Sequence, residues 1–198
     1  RMVCPAVAIL AQVARPQRAL VPLDIFPAAA MLRHSLVAAL VSVTTARMVC
    51  PGSDAPIHAG MRVTAEVAGS CEQVRAEALA RVQGQSTKWH DPHNNGIYAV
   101  ADFGGDLSFT RLTGDGRYTD KMVFTLTDVK DDACQIEACS QSQVFSIFDM
   151  GTNYCNLKML FCGSKDGCKP VLHYFDTRHE CTIRSSMASV DLPKCLVV

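Results

Sequence analysis

The sequence predicts an α+β domain: one N-terminal helix packed on an antiparallel β-sheet meander, with a disulfide-stapled C-terminal region. Three observations predict it. One capped stretch with helical periodicity precedes several stretches of strand periodicity. Gly-, Asn- and Asp-rich turns separate those stretches. Seven of the ten cysteines fall in the last 65 residues. A small closed or half-open β-barrel is the alternative arrangement.

The helix begins at Cys71. Ser70 is placed to cap it, and Gln73 three residues on completes a capping box. Val74, Ala78 and Val82 recur at i, i+4 and i+8, and Leu79 widens the apolar stripe. Glu72, Arg75, Glu77 and Arg81 fall mostly on other faces, and Gly84 is a natural stop. Asn95-Gly96 then signals a turn. Ile97–Phe103, Leu107–Leu112 and Tyr118–Val129 read as three antiparallel strands. In the third, Met122, Phe124 and Leu126 share one face. Residues 133–149 add one or two more strands. Asn156–Phe161 suits a helical turn, Val171–Phe175 a last strand, and residues 182–198 an irregular end.

Four segments are expected along the chain. Met31 to His34 is a short basic start, Ser35 to Val43 a nine-residue mostly apolar run, and Thr44-Thr45-Ala46 a small-residue cleavage site. Residues 31–46 therefore read as a secretory signal, with an apolar run too short to span a bilayer. Residues 1–30 read as upstream sequence outside the natural product. Arg1-Met2-Val3-Cys4-Pro5 recurs as Arg47-Met48-Val49-Cys50-Pro51, too short to be a structural repeat unit. Residues 47–69, with Pro51, Gly52, Pro56, Gly60 and Gly69, read as an irregular arm with a short strand at Arg62–Val67. Residues 70–198 form a single cysteine-rich domain.

Charge narrows the partners. The chain carries 19 basic and 19 acidic residues. Without residues 1–46 the balance is 15 to 18, a net charge of −3. That argues against a nucleic-acid partner and against an anionic membrane surface. No apolar run is long enough for a membrane span. With 48% hydrophobic and 19% charged residues, the chain is not a solvated disordered tail.

The cysteines carry the strongest signal. Cys71, Cys134, Cys139, Cys155, Cys162, Cys168, Cys181 and Cys195 form an even set, which suits four disulfides in a secreted domain. Their pairing is open, although the loop between Cys162 and Cys168 is short enough to join those two. Roles for Cys4 and Cys50 are not assigned. Zinc is disfavoured because no C-x2-C spacing occurs.

The densest polar cluster is His90, Asp91 and His93 beside Trp89. Two imidazoles and a carboxylate within four residues suit a divalent metal or acid–base work. The competing reading is a rigid turn built on Pro92, with Asp91 and Asn94 bonding nearby backbone amides. His173 and His179 are further candidates. Ser140–Gln143, the apolar-aromatic run Val144–Asp149, and Asn153, Tyr154 and Asn156 suit a groove that reads a polar ligand. Asp115-Gly116-Arg117-Tyr118-Thr119-Asp120 lacks the acidic pattern of a calcium loop and reads as a hairpin turn. No nucleophile elbow, phosphate loop or dinucleotide fingerprint is present, and no catalytic residue is assigned.

The strings WHDPHNNG, GDGRYTDKM, GTNYCNL and GCKPV resemble those of small secreted cysteine-rich proteins from microalgae and protists. The resemblance covers about residues 71–175. It implies secretion and a shared disulfide framework, and carries over no catalytic residue. The expected function is a secreted, disulfide-rich extracellular module that binds a glycan, a small polar ligand or a surface partner without catalysis. No cofactor is expected. The alternative is a secreted metal-dependent hydrolase centred on His90, Asp91 and His93.

Overall fold

The computed structural model describes residues 49–85, 87–184 and 190–197. The signal and upstream readings of residues 1–46 lie outside them. Six strands form one antiparallel sheet: β1 (Gly60–Ala68), β2 (Ile97–Ala101), β3 (Leu107–Leu112), β4 (Thr119–Val129), β5 (Ala133–Ser142) and β6 (Thr177–Arg184). Their spatial order is β2-β3-β4-β5-β1-β6. β2 to β5 is the expected meander. The sheet is open, so the barrel alternative is wrong: among the described strands β2 and β6 stand at its two ends.

The helices number more than the one expected. α1 (Cys71–Gln83) has the Ser70–Gln73 capping box in both directions. α2 (Thr152–Lys158) and α3 (Leu192–Cys195) follow later in the chain. α1 lies against β2, β4 and β5, and α2 against β1, β4 and β5. Strand alternation feeds that layer: Met61, Val63, Ala65 and Val67 of β1, Met122 and Phe124 of β4, and Cys134, Ile136 and Ala138 of β5 are all buried in one core. Val74, Ala78 and Val82 of α1 complete it with Tyr154 and Leu157 of α2.

Three expectations along the chain need correction. The short strand expected at Arg62–Val67 is present, but it runs over residues 60–68. β1 is a nine-residue strand in the sheet's interior, paired with β5 on one side and β6 on the other. Val171–Phe175 forms no strand. The N–H groups of Val171, Leu172 and His173 donate to the Glu77 carboxylate at 2.8, 2.6 and 2.8 Å, so they are taken from any sheet ladder. The last strand is β6 instead, and residues 182–184 are its end.

Glu77 and Arg81 do not face solvent either. Both are wholly buried, and Arg81 Nε donates to Glu77 Oε1 at 2.7 Å. Arg81 also donates to the Met159 carbonyl at 2.6 Å and to the Cys162 carbonyl at 2.8 Å. Burial alone would raise the Glu77 carboxyl. The donors from 171–173 and Arg81 outweigh it and hold the group below the usual carboxylate range.

Four disulfides staple the described residues: Cys50–Cys139, Cys71–Cys134, Cys155–Cys195 and Cys162–Cys168. Cys181 is disulfide-bonded as well. The set of eight from Cys71 to Cys195 is therefore not closed on itself, because Cys139 reaches back to Cys50. Among the described residues no helix is long and apolar enough to cross a membrane.

Candidate functional site

A cleft of about 830 Å³ opens at one end of the helix-covered face of the sheet. Its walls come from five stretches of chain and one residue of α2. The β3–β4 turn supplies Thr113, Asp115 and Tyr118, the start of β4 supplies Asp120, and the end of β5 supplies Ser142. The segment 144–150 forms an apolar lip, and His93 with Asn94 closes the side next to Thr152 of α2.

The lip is held open by its backbone. Ser146 N–H donates to the Ile57 carbonyl, and Ser146 Oγ accepts from Ala59 N–H at 2.8 Å. Asp149 turns the chain into α2: its Oδ1 accepts from Gly151 N–H at 3.0 Å, and its Oδ2 from Asn153 N–H at 3.2 Å. Met150 adopts φ 52°, in the left-handed region that methionine seldom enters. The result is a row of large apolar side chains facing water: Phe145 is 65% exposed, Phe148 59% and Met150 78%.

The floor is polar and buried. Asp120 Oδ2 accepts from Asn156 Nδ2 at 2.7 Å. Asn156 Nδ2 also reaches Ser140 Oγ, which donates to Asn153 Oδ1 at 2.7 Å. Asn153 Nδ2 in turn donates to Ser142 Oγ and Asp149 Oδ2, each at 3.0 Å. Two carboxylates are thus linked through two amides and two hydroxyls. Burial pushes the Asp120 carboxyl above its ordinary range, only partly offset by Asn156, Ser142 and Arg111.

His93 is held by both ring nitrogens. The Lys194 carbonyl can only accept, so Nδ1 donates to it at 3.2 Å. Nε2 of the neutral ring then accepts from Thr152 Oγ1 at 3.2 Å. Burial, reinforced by the Arg111 charge, lowers the imidazole pKa and favours this neutral form.

The structure disperses the metal candidates. Asp91 is buried in an ion pair with Arg111, whose Nε donates to Asp91 Oδ2 at 2.8 Å and whose Nη2 donates to the same oxygen. Asp91 Oδ1 accepts from His93 N–H at 3.0 Å. His90 is exposed and lines a separate cavity of about 230 Å³, with Lys88, Trp89 and Cys168. With Asp91 occupied, His93 bonded at both nitrogens and His90 in another cavity, the three cannot converge on a metal. Among the described residues no group of three or more His, Cys, Asp or Glu side chains is placed to hold one. The metal-centred hydrolase is thereby overturned.

The other candidates divide. Trp89 is a core residue, edge-on to the Tyr98 ring at 5.8 Å. Tyr154 points away from the cleft, its hydroxyl donating to Glu180 Oε1 at 2.7 Å. Asn153 and Asn156 sit beneath the cleft floor and orient Ser142, Asp149 and Asp120. His173 is fixed through its backbone N–H to Glu77, and His179 lies opposite Glu66 in the β1–β6 ladder. Asp120, Tyr118 and Thr113 were not singled out from sequence. Their one sequence signal is the hairpin turn at 113–118, which brings its flanking residues to one end of the sheet.

No family model matches the chain. No curated protein matches it either. Among solved structures, the chain is similar to a conserved protein from Geobacillus kaustophilus, at 16% identity. The match covers 43% of this chain and 74% of that one, with a TM-score of 0.31. At that score the likeness assigns neither fold nor function.

Proposed function

We propose that the protein is a secreted, disulfide-stapled binding module that takes a small molecule in the cleft between the β3–β4 turn and the 144–150 lip. The observation that carries this reading is the lining of the cleft. Its volume lies within the roughly 300–1,000 Å³ of small-molecule sites. Like such sites, it sets a few oriented polar groups against an apolar wall. Four large apolar side chains held in water on one short segment, Phe145, Ile147, Phe148 and Met150, also call for a covering surface. The reading of secretion is supported by the bridges, which join residues up to 89 apart and suit an oxidising compartment. The signal-like residues 31–46 support it as well.

The test is an amide-shift screen by NMR on the oxidised, isotopically labelled full chain. The panel holds oligosaccharides, polar metabolite-sized fragments and small amphiphiles. Shifts concentrated on His93, Tyr118, Ser142 and Thr152 are the expected result. A panel that moves nothing there, or moves only Lys88 to His90 around the smaller cavity, overturns the reading.

A further inference from the structure

We propose that the ligand of this cleft carries a protonated amine, which meets Asp120 and Asp149, and an apolar body, which lies against Phe145, Phe148 and Met150. The proposal rests on the reading of the cleft as a binding site and adds the chemistry of the occupant.

The argument is one of missing countercharge. Asp120 is 2% exposed and Asp149 is buried, yet neither has an ion-pair partner among the described residues. Their donors are neutral: Asn156 for Asp120, and Gly151 and Asn153 for Asp149. Buried carboxylates are ordinarily paired with a cation. The nearby cations do not bond either carboxylate. Arg111 bonds Asp91, the His93 carbonyl and Asn94 Oδ1 through Nε and Nη2, while its Nη1 makes no hydrogen bond and its one charge is shared through space between Asp91 and Asp120. Arg117 is turned toward Asp115 at 3.7 Å, and Lys121 toward Asp54 at 3.7 Å. No Lys or Arg is among the residues lining the cleft.

The cleft therefore offers an ammonium two carboxylates and a hydroxyl, and charge-assisted bonds are the stronger ones. It offers an anionic head no cationic side chain in its lining. A bare metal ion is less well served, since the remaining floor amides and hydroxyls are bonded to one another and only Asn156 Oδ1 among them lacks a partner. The aromatic lip adds two ring faces for an apolar body.

Three probes of matched length separate the alternatives: 3-phenylpropylammonium, 3-phenylpropionate and 3-phenyl-1-propanol, each titrated into the oxidised full chain and followed by amide shifts. The expected result is binding of the amine at the cleft residues at least about tenfold tighter than the acid or the alcohol. Asp120→Asn should remove that preference. The comparison of probes on the unsubstituted chain stands even where the variant does not fold. Equal binding of acid, alcohol and amine at the cleft overturns the amine proposal and leaves the cleft reading intact. Calcium that displaces the amine and reproduces its shifts overturns it too. No cleft shift from any probe, together with silence across the wider panel, removes both.

Discussion

Asp91 and Arg111 form an ion pair with no solvent exposure on either side chain, joining the 89–96 segment to β3. The same guanidinium donates to the His93 carbonyl and to Asn94 Oδ1, and lies 5.6 Å from the Tyr98 ring centre. Gly96 packs so closely on it that a Cβ there would overlap the guanidinium. Asn94 and Asn95 take the left-handed conformations of this turn, so Gly96 is needed for room and not for its dihedral angle. One wall of the cleft is thus set by a single charged contact.

Removing one partner strands the other charge in the core. Arg111→Met or Asp91→Ala should each cost about 3–5 kcal/mol in urea unfolding, while an apolar replacement of both costs far less. Single losses below about 1 kcal/mol, within the range of an exposed pair, would show that the pair does not set this wall.

Glu77 has a second role that its partner does not share. Glu77→Gln keeps the volume but leaves Arg81 uncompensated, again about 3–5 kcal/mol. Faster hydrogen exchange at the amides of Val171, Leu172 and His173 is expected before global unfolding. Unchanged protection at those three amides would contradict the anchoring role.

Two groups of the cleft give opposite pH dependence. Burial and then Arg111 depress the His93 imidazole, so the unfolded chain takes up its proton first as pH falls through about 6.5. The contribution of His93 is present above that pH and is lost below it. Burial raises Asp120, so the unfolded chain releases its proton first as pH rises through about 3.9. Ionised Asp120 then lowers stability at neutral pH. Asp120→Asn should stabilise the chain at pH 7, with the gain vanishing below about pH 4. Thermal melts across pH 3–8 read both slopes, and a destabilised Asp120→Asn at pH 7 would be the wrong sign.

A non-reducing peptide map should recover Cys50–Cys139, Cys71–Cys134, Cys155–Cys195 and Cys162–Cys168 as linked pairs. Cys50→Ser with Cys139→Ser should cost about 2–4 kcal/mol. Cys139 linked to any other cysteine would refute the arrangement of the arm.

The lip should be silent in folding. Phe148→Ser changes an exposed side chain, so stability should stay within about 0.5 kcal/mol. Its effect is expected in binding, as a weaker response of the cleft to the ammonium probe. A large loss of stability instead would mean that Phe148 is packed.

Local signals made much of this fold legible. Ser70 and Gln73 announced α1, and the alternation of Met122, Phe124 and Leu126 gave β4 its inward face. What escaped was tertiary. Val171–Phe175 has a strand's composition, but its donors are claimed by a carboxylate 94 residues earlier. The four-residue spacing of Glu77 and Arg81 was visible, yet it reads as an exposed helix pair unless the partner backbone is known. The cleft was half visible: Ser142 and the 144–149 run were marked, while Asp120 joins them only through the ladder that sets it opposite Ser142.

The interior place of β1 bears on the order of assembly. Hairpins β2 to β5 are local and form on short loops, whereas β1 pairs with residues some 65 to 120 positions further along. β1, the first of the described strands, is therefore seated late, after β5 and β6 have been made. Arg62, Thr64 and Glu66 alternate with its apolar side, Met61 to Val67, and act as gatekeepers against edge-to-edge association in that interval. Cys50–Cys139 and Cys71–Cys134 flank β1 on either side and lock its register to β5 once it arrives. Mispaired oxidation ahead of that arrival would bar the strand from its slot, so productive folding favours a compartment in which thiols can still be exchanged.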